Sequence, residues 1–148
     1  MLLCDYAQAS EGKLNIIGAG WSIKGPNAPM GIAIKIEVPW NDTNKRHVWR
    51  LELRDADGEP VTIETPLGVQ PVSIEAPFEV GRPPGLPEGT PLDYTAALNL
   101  PPMPLQEQMR YTWYFEINGA SQDDWHLSFL TRPNPIMGAS FGEPPPQS

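Results

Sequence analysis

Arg110 to Thr131 reads RYTWYFEINGASQDDWHLSFLT. Tyr111, Trp113, Phe115 and Ile117 fall on one side of a period-two pattern, and Thr112, Tyr114, Glu116 and Asn118 on the other. Strict alternation is what a half-buried β-strand needs, because successive side chains point to opposite faces of a sheet. Asn118-Gly119 supplies two residues that tolerate positive φ, and the polar run Ser121 to Asp124 continues the turn. The chain returns with Trp125, Leu127 and Phe129 alternating against His126, Ser128 and Leu130. This predicts an antiparallel hairpin with an aromatic inner face. A lone hairpin is marginal in water, so the rest of the chain must cover that face.

Working outward, the same period recurs. In Met30 to Val38, Ile32, Ile34, Ile36 and Val38 share one side, and Ala33, Lys35 and Glu37 the other. Arg46 to Asp55 places Trp49, Leu51 and Leu53 inward and Val48, Arg50, Glu52 and Arg54 outward. Leu92 to Leu100 alternates in the same way. Pro71 to Val80 does too, but Pro71 and Pro77 remove ladder donors, which predicts an edge strand. Met1 to Gln8 and Leu14 to Ile17 read as a first strand and its return, with Val61 to Glu64 as a further short strand. Thr65 to Gln70 and Gly81 to Pro91 read as loops.

About eight strands at turn-separated intervals predict an all-β, single-domain, antiparallel two-sheet β-sandwich over residues 1–132. A proline- and glycine-rich, extended C-terminal tail follows over 133–148. Tyr111 opens the penultimate strand, as a tyrosine does near the inter-sheet corner of immunoglobulin-like domains. With one cysteine the domain would be a disulfide-free relative of those. The 19 prolines and 13 glycines disfavour long helices, and no stretch of ten residues has a clear 3.6-residue period.

Composition bounds function. Hydrophobic residues make up 40% of the 148, which is globular rather than disordered. A net charge of −8 argues against nucleic acid as a partner and against docking on an anionic membrane. No apolar run approaches the roughly 20 residues of a membrane-spanning helix. The opening MLLCDYAQASEGK lacks a basic region and a long apolar run, so no signal peptide is expected. Leu2-Leu3-Cys4 has the outline of a lipoprotein cleavage box, but no long hydrophobic segment precedes it. A cytoplasmic location is expected, and the single cysteine agrees with a reducing compartment.

Four segments carry a resemblance: MLLCDYA at Met1 to Ala7, SEGKLNIIGAGW at Ser10 to Trp21, VGRPPGLPEGT at Val80 to Thr90, and LNLPP at Leu98 to Pro102. Together they are similar to a family of uncharacterised small bacterial proteins, also carried by some phages, that open with a motif close to MLLCDYA. The resemblance implies a compact β-sandwich and brings no catalytic residue.

Candidate chemistry is sparse. Cys4 lies in a strand beside Leu3 and reads as a small buried apolar side chain rather than a nucleophile. His47 and His126 are the two histidines, without the paired spacing of a zinc site, and read as solvated or cross-strand groups. Asp55-Ala56-Asp57-Gly58-Glu59 opens like a calcium loop, but Pro60 and Val61 interrupt it, and a hairpin turn is the better reading. Asp123 and Asp124 could join Asn118 on a cation, against the simpler reading of a polar turn. No phosphate-binding glycine loop is present, and no cofactor is expected.

What remains is surface. Trp40, after Pro39 in a polar segment, is the best candidate for an exposed aromatic. Tyr114 and Leu130 point away from the inner face of the hairpin. Ile136, Met137 and Phe141 are apolar anchors in the tail, which either folds back over those residues or reaches a neighbour. The expectation is a non-enzymatic protein–protein interaction or structural module, self-associating or an accessory subunit of a bacterial or phage assembly. The alternative is a ligand- or carbohydrate-binding domain that uses an exposed aromatic such as Trp40 for stacking.

Overall fold

A computed structural model describes residues 1–133 of the chain. Twelve strands occur among them: β1 (Leu2–Cys4), β2 (Tyr6–Ser10), β3 (Lys13–Ile17), β4 (Ile23–Lys24), β5 (Met30–Val38), β6 (His47–Arg54), β7 (Thr62–Thr65), β8 (Gly68–Pro71), β9 (Ser73–Phe78), β10 (Leu92–Leu100), β11 (Arg110–Ile117) and β12 (Leu127–Thr131). Trp40–Asp42 and Asp123–Trp125 are single 3-10 turns. The fold is all-β, as the alternation requires.

Two sheets carry the core. One has three strands in the order β1-β5-β10, all antiparallel. The other has five, in the order β4-β12-β11-β6-β9, with β4 parallel to β12 and the rest antiparallel. The residues placed inward by period line the core, with Ile36, Ile117 and Leu127 half-buried. Ile32, Ile34 and Val38 from the first sheet join Trp49, Leu51, Leu53, Trp113, Phe115 and Phe129 from the second in one apolar cluster. Each such side chain contributes about 1.5–3 kcal/mol on burial, against the ordering cost. Tyr111 stacks on Phe129, and its hydroxyl oxygen accepts a 2.9 Å hydrogen bond from the Gln106 amide, which pins the chain entering β11. β9, which carries Pro77, is an edge of the five-stranded sheet, while Pro71 ends β8.

A second, smaller core lies on the outer side of the three-stranded sheet. The β2–β3 hairpin crosses there and buries Cys4, Ala7 and Ala33 with Leu14, Ile16 and Ala97. Asn99 fastens it with its side-chain amide: Oδ1 accepts from Ala7 N at 3.0 Å, and Nδ2 donates to Ala7 O at 2.8 Å. The pair imitates a strand ladder. Gly31 permits the approach, because a Cβ there would lie 2.8 Å from Cys4 Sγ and 3.3 Å from the Tyr6 Cα.

Three expectations need correction. Met1 to Gln8 is not one strand; it bends at Asp5, whose amide turns away to the carbonyls of Ile17 and Gly18. Thr65 to Gln70 is not a loop; Gly68–Pro71 pairs with Thr62–Thr65 as a small hairpin. The hairpin between β11 and β12 closes with a tight Asn118-Gly119 turn, both at positive φ, bridging Ile117 to Ala120. The chain then leaves the ladder, so Trp125 sits in a 3-10 turn rather than in the returning strand. Its ring still packs edge-on against Phe115, at 6.0 Å.

Candidate functional site

A half-open cleft of about 590 Å³ lies at one end of the two sheets. Its floor is apolar: Ile36, Phe78, Phe115, Ile117 and Trp125. One wall is the run 34–39 at the end of β5. The opposite wall is the segment after β11, with Asn118, Gln122 and Asp124. Glu37, Asp42 and Asp124 put carboxylates on the rim, and Lys35 is its one basic side chain, 3.8 Å from Asp93 on the neighbouring strand.

His47 is the titratable ring in the cleft, and it is held on three sides. Asn118 Nδ2 lies 3.0 Å from Nδ1, and the Asp42 carbonyl lies 2.8 Å from Nε2. A carbonyl only accepts, so Nε2 carries the proton and Nδ1 accepts from the amide. The ring also lies over Phe78 at 5.2 Å, and Phe78 over Tyr94 at 4.6 Å. Asn118 is held in turn: its Oδ1 accepts from Val48 N at 3.0 Å and its own amide donates to Val48 O at 2.8 Å. The cleft end is therefore a braced corner whose polar atoms serve one another.

His126 meets Ser121 at 3.1 Å, an arrangement that invites a nucleophile–base reading. The Ser121 hydroxyl, however, donates to the Phe115 carbonyl, so its oxygen accepts from His126 Nε2–H. The proton that a base would have to take is turned the other way. Asp55 is likewise engaged by its own turn: Oδ1 accepts from the amides of Asp57 and Glu59 at 2.9 and 3.0 Å. Among the described residues no three His, Cys, Asp or Glu side chains converge as a metal site.

The surface residues chosen from sequence occupy separate places. Trp40 is half-buried, with the Arg82 guanidinium 4.2 Å from its ring centroid and bonded to its carbonyl at 2.7 Å. Tyr114 is half-buried between the Arg54 guanidinium and the His126 ring, each 4.1 Å away. Leu130 is 39% exposed and lies opposite Ile23, which is 51% exposed. Ile136, Met137 and Phe141 lie outside the described residues. None of the three described residues lines the cleft. Sequence reasoning missed the cleft because its parts come from five separate stretches; the one local signal was the polar Asn118 at the turn of the aromatic hairpin.

No helix among the described residues is long and apolar enough to cross a membrane. No curated protein and no solved structure matches this chain. Residues 1–129 match the family of unknown function DUF6941, and the chain belongs to that family.

Proposed function

We propose that this protein is a non-enzymatic interaction module of immunoglobulin-like β-sandwich type, and that it works by holding a polypeptide partner in the cleft. The observation that carries the reading is the cleft itself: about 590 Å³ over an apolar floor, rimmed by carboxylates, with its histidine held by Asn118 and the Asp42 carbonyl. Membership of an accessory component in a bacterial or phage assembly fits the resemblance of the opening motif, and a cytoplasmic site of action fits the acidic, single-cysteine composition. The net charge of −8 favours a protein partner over nucleic acid or an anionic membrane.

Panning a random peptide library tests the reading. Peptides enriched on the protein should lose at least tenfold in affinity on Gln122→Trp, which fills the mouth from an exposed position. Equal affinity for both proteins, or no enrichment, defeats it.

A second reading, a carbohydrate- or small-ligand site, draws on the half-buried ring of Trp125 at the cleft. Trp40 is a weaker platform, since Arg82 covers it. Glycan-array binding that disappears in Trp125→Ala would favour this second reading over the first.

A further inference from the structure

Resting on the interaction reading above, we infer that the partner enters the cleft as an extended strand that adds to the open side of β5, and that it alternates apolar with basic residues.

The argument starts from the direction of backbone groups. The Leu3 carbonyl accepts from Gly20 N at 2.9 Å, and Asp5 N donates to Ile17 O at 3.0 Å. Both groups therefore point away from β5. The residues that face β5 are Leu2 and Cys4, opposite Ala33 and Gly31. In an antiparallel pair the hydrogen-bonded positions recur every second residue. Gly31, Ala33, Lys35 and Glu37 thus all turn their N–H and C=O to the β1 side. Ala33 and Gly31 are answered there; Lys35 and Glu37 are not. The register with β1 stops at Ala33, and among the described residues no hydrogen bond reaches the Lys35 or Glu37 backbone from that side. On the other side β10 pairs with β5 from Met30 to Val38.

This open edge borders the cleft, whose wall is the unbroken run 34–39. Two donors and two acceptors, spread along three residues and about 7 Å of strand, are a template for one extended chain. Folded proteins usually blunt such edges. β9, at the rim of the other sheet, is blunted by Pro77; β5 has no proline before Pro39.

The added strand's side chains would alternate. One set meets Phe115, Ile117 and Trp125 on the floor and is apolar. The other set lies on the outer face of the sheet beside Glu37, where Lys35 already faces Asp93. Basic side chains complement that carboxylate. A second copy of this chain, at −8, is a poor donor of such a strand.

The probe is the acetylated, amidated peptide Val-Lys-Val-Lys-Val-Lys-Val, titrated into isotope-labelled protein and followed by amide hydrogen exchange. Two N-methylated versions, one for each alternate set of residues, and a glutamate counterpart accompany it. At saturation the Lys35 and Glu37 amides should gain at least tenfold protection. One N-methylated version should lose binding while the other keeps it, and the glutamate peptide should bind at least tenfold more weakly. Glu37→Pro should abolish binding and Glu37→Gln retain it; if Glu37→Pro does not fold, the N-methylated pair decides the same point. Saturable binding without protection at Lys35 and Glu37, or equal binding of both N-methylated versions, overturns strand addition and leaves the interaction module standing. Failure of every peptide, and of those selected by panning, overturns both. Protection that rises with protein concentration alone assigns the edge to a second copy and overturns the partner proposed.

Discussion

Gly31→Ala is the sharpest single test of how the two cores are assembled. The added Cβ would lie 2.8 Å from Cys4 Sγ, 3.1 Å from Asn99 Oδ1 and 3.3 Å from the Tyr6 Cα. None of these is the loose end of a flexible side chain. Cys4 is fully buried, Tyr6 contributes backbone, and the Asn99 amide makes both hydrogen bonds to Ala7. Relief therefore requires the β2–β3 hairpin to lift, or the Asn99 clamp to break at about 1 kcal/mol per bond. Alanine recovers up to about 1 kcal/mol of strand preference over glycine. Overpacking costs about 1–3 kcal/mol, and the closeness of these contacts puts the net loss near the upper end, about 2–3 kcal/mol. For a chain of this length that lowers Tm by roughly 5–10 °C. Urea titration followed by tryptophan fluorescence reads it as a shifted midpoint with unchanged slope. Cys4→Ala removes the nearest obstacle, so the double variant should be more stable than the sum of the two single losses predicts, by about 1 kcal/mol or more. A neutral Gly31→Ala, or additivity within about 0.5 kcal/mol, refutes the reasoning.

Other outcomes follow from single groups. Burial works to raise the Glu52 carboxyl, but hydrogen bonds from Arg54, at 2.8 Å, and from Arg50 outweigh it and hold the group below the ordinary carboxylate range. Its contribution is thus full above the unfolded value of about 4.3 and is lost as pH falls through the lower folded value. Both arginines are about one-third exposed, so Glu52→Gln should cost only about 1–2 kcal/mol at pH 7. The variant should also lose stability less steeply than the natural chain below pH ~4.3; urea midpoints that fall in parallel from pH 7 to 3 would contradict this. Tyr111→Phe keeps the stack on Phe129 but leaves the Gln106 amide without its acceptor, for a loss of about 1 kcal/mol in thermal unfolding. An unchanged Tm would mean that water replaces the hydroxyl at no cost. Burial pushes the Cys4 thiol up, and the negative charge of Asp5 adds to it. A thiol reagent at pH 8 should therefore label the native protein no faster than it unfolds; a rapid phase would place Cys4 outside the buried cluster.

Much of the architecture was legible because its strands are two-faced. Ile32, Ile34, Ile36 and Val38 predict Met30–Val38 to the residue, and Leu92 to Leu100 does the same for β10. Where both faces are wet the signal vanishes. Gly68–Pro71 has no buried residue and pairs only with β7, so nothing in its own pattern separates it from a loop. β4 is two residues long and owes its existence to β12, more than a hundred positions away. The bend at Asp5 depends on the carbonyls of Ile17 and Gly18, which no local propensity reports.

The cleft belongs to a different kind of information. Alternation tells which sheet face a side chain takes, but backbone donors and acceptors lie in the plane of the sheet and alternate between its two edges. A sequence supplies the period of both patterns and the phase of only the first. For β5 one bond supplies the missing phase: Leu3 O to Gly20 N turns the odd residues of β1 outward. The register then carries that parity across to Gly31, Ala33, Lys35 and Glu37. The side chains of Ala33, Lys35 and Glu37 face the outer side, while the backbone groups of all four face the β1 edge. Burying Ala33 under the β2–β3 hairpin and leaving Lys35 and Glu37 able to pair are therefore the same choice of phase, made once. A one-residue slip of β1 along β5 would instead turn β1 over and carry Leu3 out of the core, because the pairing with β10 from Met30 to Val38 holds β5 in phase.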